Sequence, residues 1–175
     1  MPKIFFIASL IFCQFLIARD IQETTYSYWN KPDIQIYYSA PPTISENTMI
    51  MFVIHGASRK TKQDLNDWLP LVEGRDVVLI APEFSKEFYN EYAYLMKTTK
   101  TGRILKDTSR DLESSLGDLF NFFSSKLKIS TKKFRLYGHS GGSQFVHRYL
   151  LLSDETRVDK VAMANAGFYT FANPA

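Results

Sequence analysis

The chain has 175 residues, 45% of them apolar and 22% charged, enough for one globular domain with its own core and too apolar for a disordered one. The formal charge of +3 is small and scattered. With no arginine-rich stripe and no zinc-ligand spacing, it gives no case for a nucleic-acid partner or a metal site.

The N-terminus reads as a secretory signal over residues 1–18, with residues 19–175 as the folded domain. Lys3 supplies the positive start, and Ile4 to Ile17 is an apolar run broken by Ser9, Cys13 and Gln14. Leu16-Ile17-Ala18 ends on a small residue suited to cleavage. The run is shorter than the ~18 residues of a spanning helix, so no stable membrane span is expected. A buried N-terminal helix or an uncleaved anchor are the alternatives. Leu10-Ile11-Phe12-Cys13 is a poor lipobox, because Phe12 is bulky. Cleavage would remove Lys3 and the only cysteine, taking the charge from +3 to +2. The expected location is periplasmic or secreted.

Thr24–Tyr28 and Asp33–Tyr38 have the aromatic, alternating character of early antiparallel strands, closed by Pro41-Pro42. Thr48–Ile54 is almost unbroken apolar sequence, which suits an inner strand of a parallel sheet. Thr61 to Asp64 predicts a capped helix start, with Leu65, Trp68, Leu69 and Val72 at helical spacing and Pro70 shortening the helix. Asp76–Ala81 is the next buried strand, closed by Pro82. Phe84–Thr101 reads as a loop or short helical insertion. Thr108 to Asp111 predicts a second capped start, with Leu112, Leu116, Leu119, Phe120, Phe123 and Leu127 on one face. Lys133–Tyr137 is a strand, Gly141–Leu152 a helix and Val158–Ala164 a last strand. Two strands followed by alternating strands and helices predict an α/β fold, with a mainly parallel sheet and helices on both faces.

The strongest chemical signal is Gly138-His139-Ser140-Gly141-Gly142, between that strand and that helix. It is the G-x-S-x-G pattern of a nucleophile elbow. The serine sits on a sharp strand-to-helix corner, where side chains at Gly138 and Gly142 would collide. Its hydroxyl then stands above the carboxyl end of the sheet, at the N-terminus of a helix that favours negative charge. His55-Gly56-Ala57-Ser58 follows the inner strand 48–54. There a histidine-glycine turn can offer backbone N–H groups to an oxyanion, with Ala57 and Gly141 as the expected donors. Ser58 is an alternative to Ala57, and His55 and Gly56 support the loop.

A base for Ser140 is hard to find. His55 belongs to the loop. His139 is the serine's neighbour, and adjacent side chains on this turn diverge. His147 lies about 10 Å along the helix by its rise, beyond hydrogen-bond reach. Asp154 and Asp159 flank the last strand without making a convincing acid. Phe84, Phe88, Tyr89, Tyr92 and Tyr94 either wall a substrate pocket or form satellite core, the second being the commoner use of such clusters. Phe168 and Tyr169 carry the same ambiguity.

From about Ile50 to Thr170 the chain resembles the α/β-hydrolase superfamily, and more narrowly the secreted esterases related to polyhydroxybutyrate depolymerases and feruloyl esterases. The resemblance rests on His55 to Arg59, Ala81-Pro82-Glu83-Phe84, Gly138 to Arg148 and Ala164 to Thr170. It implies ester hydrolysis through an acyl-enzyme on Ser140, with the amides of Ala57 and Gly141 as oxyanion hole. The substrate would be a small or polymeric ester, and no metal or organic cofactor is implied. In this superfamily the acid and then the histidine follow the serine on later strands. Here the sequence ends near the sixth strand, so the expectation is the front part of a hydrolase with little unassisted turnover. A catalytically inactive remnant and an acyltransferase on the same fold are the competing readings.

Overall fold

A computed structural model describes residues 19–170; the segment read as a signal lies outside them. The strands are β1 (Gln22–Tyr26), β2 (Ile34–Ser39), β3 (Met49–Ile54), β4 (Val77–Glu83), β5 (Phe134–His139) and β6 (Val158–Ala164). The helices are α1 (Thr61–Trp68), α2 (Ser115–Leu127) and α3 (Gly141–Leu152). All six strands form one sheet in the order β1-β2-β4-β3-β5-β6. β3 to β6 run parallel, while β1 and β2 are antiparallel additions at one edge. This is the mainly parallel α/β architecture that the alternation predicts.

Alternate residues of the inner strands feed two cores, which is why these strands read as continuous apolar runs. Ile50, Phe52, Ile54, Val78, Ile80, Phe134 and Leu136 pack under α2 and α3, against Leu116, Leu119, Phe120, Phe123, Phe145 and Tyr149. Val53, Val77, Leu79 and Ala81 face the other way, onto Leu65 of α1. Phe84, Tyr89 and Tyr92 belong to the first core, where Phe84 stacks on Phe145 at 5.0 Å. For these three aromatics the structure supports core, whereas Phe88 is exposed.

Both predicted capping boxes fail to form. α1 enters through Lys60 with no side-chain cap, and Thr61 lies inside the helix with its hydroxyl buried and unpartnered. α2 begins at Ser115 rather than near Thr108, because the intervening residues turn instead: Asp111 N–H bonds Thr108 O, and Ser115 N–H bonds Leu112 O. Pro70 does end α1, and the chain continues as a 3₁₀ turn over Leu69–Val72. Pro82 does not close β4; it pairs with Ile36 inside the strand. The β3 ladder stops at Ile80, so Pro82 has a strand on one side only, where proline is tolerated. The Phe84–Thr101 stretch contains a 3₁₀ turn at Tyr92–Tyr94 and a bridge from Thr98 to Ile104. Among the described residues no helix is long and apolar enough to cross a membrane.

Candidate active site

Ser140 stands between β5 and α3 with φ 55° and ψ −116°. A side chain with Cβ pays for a left-handed φ, and the surrounding contacts hold it there. Its own N–H is tied to Ala164 O at 2.9 Å, which fixes the corner to the end of β6. The two flanking glycines are there for space. A Cβ on Gly138 would lie 2.7 Å from Ser143 N, and one on Gly142 would lie 2.6 Å from His55 O and closer still to Ile54 O. α3 can therefore start directly against the ends of β5 and β3 only if Gly138 and Gly142, respectively, lack side chains.

The loop after β3 lies against this corner. A Cβ built on Gly56 would be 3.7 Å from the Ser140 Cβ, and one built on Gly141 would be 3.1 Å from Ala57 N. The Ala57 amide and the Gly141 backbone thus adjoin beside the serine. His55 is fully buried; its Nε2 accepts the Phe84 N–H at 3.0 Å, and its Nδ1 lies 2.9 Å from Gly56 O. Those partners require the neutral tautomer with the proton on Nδ1. Burial pulls the His55 pKa down to about 4, which keeps the ring neutral in ordinary buffers. Tyr92 donates to His55 O at 2.9 Å, and its ring lies 4.6 Å from the imidazole. Burial drives the Tyr92 phenol well above the usual range, so it remains a donor.

Arg59 adds a set of contacts that no motif announced. Its guanidinium donates to the carbonyls of Phe84, Ala57, Tyr89 and Asn90 at 2.6, 3.1, 3.1 and 3.2 Å, and it lies 4.8 Å from the Tyr92 ring centroid. Arg148 does similar work lower down, joining Ala93 O to α3 at 2.8 Å and covering Tyr94. Arginine between loop carbonyls leaves no periodic or spacing signature, so the sequence places Arg59 and Arg148 within the segments of the resemblance without indicating what they hold.

The other side of Ser140 is open. His139 points towards α1, where it borders a cleft of about 390 Å³ with Asp64, Trp68 and Tyr137. Its Nε2 lies 3.2 Å from the Asn165 side-chain amide. Burial raises the Asp64 carboxyl, with the Gly56 amide acting in the opposite sense. His147 accepts the Thr170 N–H through Nδ1 at 3.3 Å and meets Tyr169 edge-on. Burial, aided by Arg148, lowers its pKa. Asp159 is paired with Arg135 at 3.2 Å. Among the described residues, none of the three histidines is hydrogen-bonded to Ser140.

No family model matches the chain, and no curated protein matches it. Solved structures do. A poly(aspartic acid) hydrolase-1 from Sphingomonas sp. KT-1 superposes with TM-score 0.78 at 26% identity, covering 87% of this chain and 59% of that one. A poly(3-hydroxybutyrate) depolymerase from Bordetella parapertussis gives 0.74 at 21% identity, covering 86% and 53%. An acetyl xylan esterase from Aspergillus awamori gives 0.63 at 16%, covering 86% and 55%. The chain therefore spans between 53% and 59% of the length of these proteins. With its mainly parallel sheet and helices on both faces, the chain has the α/β-hydrolase fold and resembles the esterases and depolymerases built on it.

Proposed function

We propose that the chain carries the nucleophile and oxyanion hole of a serine hydrolase acting on carboxylic esters. Ser140 Oγ attacks the ester carbonyl carbon, and its proton passes to a base. The carbonyl oxygen becomes an oxyanion held by the amides of Ala57 and Gly141. Collapse expels the alcohol and leaves an acyl group on Ser140, which water then removes. The observation that carries this reading is the left-handed Ser140 at the β5–α3 corner, with the Ala57 amide beside Gly141. The ester class is supported by the acetyl xylan esterase and the poly(3-hydroxybutyrate) depolymerase, which share the fold.

The three histidines are otherwise engaged, so unassisted turnover is expected to be slow: a serine without a base keeps only what oxyanion stabilisation and binding supply. Added imidazole substitutes for the base. The test is hydrolysis of a p-nitrophenyl ester by the 175-residue chain, with and without imidazole, against Ser140→Ala. The expected result is an imidazole-dependent rate above the variant, and a Ser140-linked acyl adduct in the mass spectrum. Equal rates for the two proteins, with no adduct, overturn the proposal.

A further inference from the structure

We infer that Arg59 is a positioning residue that aims the Ala57 amide at the oxyanion, an inference that rests on the esterase reading of Ser140. Two peptide planes flank Ala57. In the first, Gly56 O is held at 2.9 Å by His55 Nδ1 and at 3.0 Å by the Arg59 N–H. The peptide is planar and trans, so fixing that carbonyl sends the Ala57 N–H in the opposite direction. Gly141 lies close to that nitrogen. In the second plane, Ala57 O accepts from Arg59 Nη1 at 3.1 Å. One residue therefore holds both planes, the first with its main chain and the second with its side chain.

Two further features separate this from an ordinary surface arginine. Arg59 adopts φ 54°, the left-handed region that side chains with Cβ avoid. That conformation turns the chain from the Gly56–Arg59 turn into the start of α1 at Thr61. The guanidinium is also anchored at its far end, on the carbonyls of Phe84, Tyr89 and Asn90 and over the Tyr92 ring. Tyr92 in turn donates to His55 O. The donor loop is thereby fastened to the segment after β4, which packs in the core. A flexible lysine with one ammonium cannot reproduce a planar fork that meets four carbonyls at once.

The test uses Arg59→Gly, Arg59→Lys and Arg59→Met in the whole chain. Arg59→Gly removes the side chain and accepts φ 54°, whereas Arg59→Met removes the guanidinium and keeps the backbone restrained, so a fall common to both is assigned to the guanidinium. The first readout is the backbone ¹⁵N order parameter of Ala57, expected near ~0.85 in the parent and below about 0.6 in Arg59→Gly and Arg59→Met. The second is imidazole-assisted, Ser140-dependent ester hydrolysis. A misaimed donor should lower kcat about 10-fold or more, with KM within about twofold, since the amide engages chiefly in the transition state. Arg59→Lys should fall between the parent and Arg59→Gly. An unchanged Ala57 order parameter, an unchanged kcat, or unfolding of Arg59→Gly overturns the inference. If the parent shows no Ser140-dependent hydrolysis, the esterase reading fails instead, and the order parameter alone judges Arg59.

Discussion

The two sides of Ser140 differ in burial and in hydrogen bonding. On the oxyanion side, Ile54, His55 and Gly56 are buried, and the carbonyls of His55, Gly56 and Ala57 each accept a hydrogen bond from a named donor. On the β6 side no strand residue is buried, and Phe168 and Tyr169 beyond it are 61% and 44% exposed. Under the proposed ester chemistry, the difference separates the two tasks of acyl transfer. Stabilising negative charge needs fixed dipoles, and under that proposal the task falls to the hydrogen-bonded loop after β3. Moving the serine proton needs a base within hydrogen-bond reach, and on the open side His139 and His147 are turned to Asn165 and Thr170.

The largest break in this comparison is expected from Gly142→Ala. The new methyl would overlap the carbonyls of Ile54 and His55, which are main-chain atoms of an inner strand and its loop. Neither can give way without moving the oxyanion loop. The expected cost is about 5 kcal/mol or more, in the range reserved for forced rearrangement of a packed site. Urea denaturation followed by circular dichroism checks it. A variant within about 1 kcal/mol of the parent would mean that the β3–α3 approach is looser than described.

A smaller effect should come from pH, again on the enclosed side. The His55 pKa falls from 6.5 unfolded to about 4 folded, because burial penalises the imidazolium. Between these values the unfolded chain binds more protons, so stability rises with pH there. His55 contributes fully above about pH 6.5, and the contribution is lost as pH falls towards 4. The size of the loss is about 3 kcal/mol. The protonated ring would also lose its bond from the Phe84 N–H, since Nε2 could no longer accept. Denaturation midpoints from pH 4 to 7 should show this slope, and His55→Gln should flatten it. An identical slope in His55→Gln would assign the titration elsewhere.

The same contrast explains what was legible in the sequence. Strands buried on both faces leave continuous apolar runs, so β3 and β4 could be read within a residue or two, β5 was legible from the alternation of Phe134, Leu136 and their neighbours, and the glycine-flanked serine marked the corner before α3. The starts of α1 and α2 were misread because a Thr-x-x-Asp pattern records only a possible cap. Whether the threonine sits at the cap depends on where the preceding loop releases the chain, and Thr61 is drawn inside α1 with its hydroxyl buried. The juxtaposition of Ala57 and Gly141 was legible because they lie at fixed offsets from a motif. The hydrogen bonds of Arg59 and Tyr92 were not, because their partners here are main-chain carbonyls, which every residue possesses and no pattern distinguishes.

The gentlest probe places one polar residue on each side of the contrast. Val53 lies in β3 with 1% exposure, facing Leu65 across the α1 core, whereas Met163 lies in β6 with 39% exposure. Val53→Thr nearly conserves shape but buries a hydroxyl among apolar neighbours, for an expected loss of about 1–3 kcal/mol. Met163→Thr leaves its hydroxyl in water, and threonine suits a strand, so the expected change is within about 0.5 kcal/mol. Denaturant midpoints at equal m-value compare the two directly. A loss at Met163 as large as that at Val53 would mean that the β6 face is covered in solution. Repeating the measurement across a range of protein concentrations then identifies a second copy as the cover, because stability gained by association rises with concentration while stability gained within one chain does not.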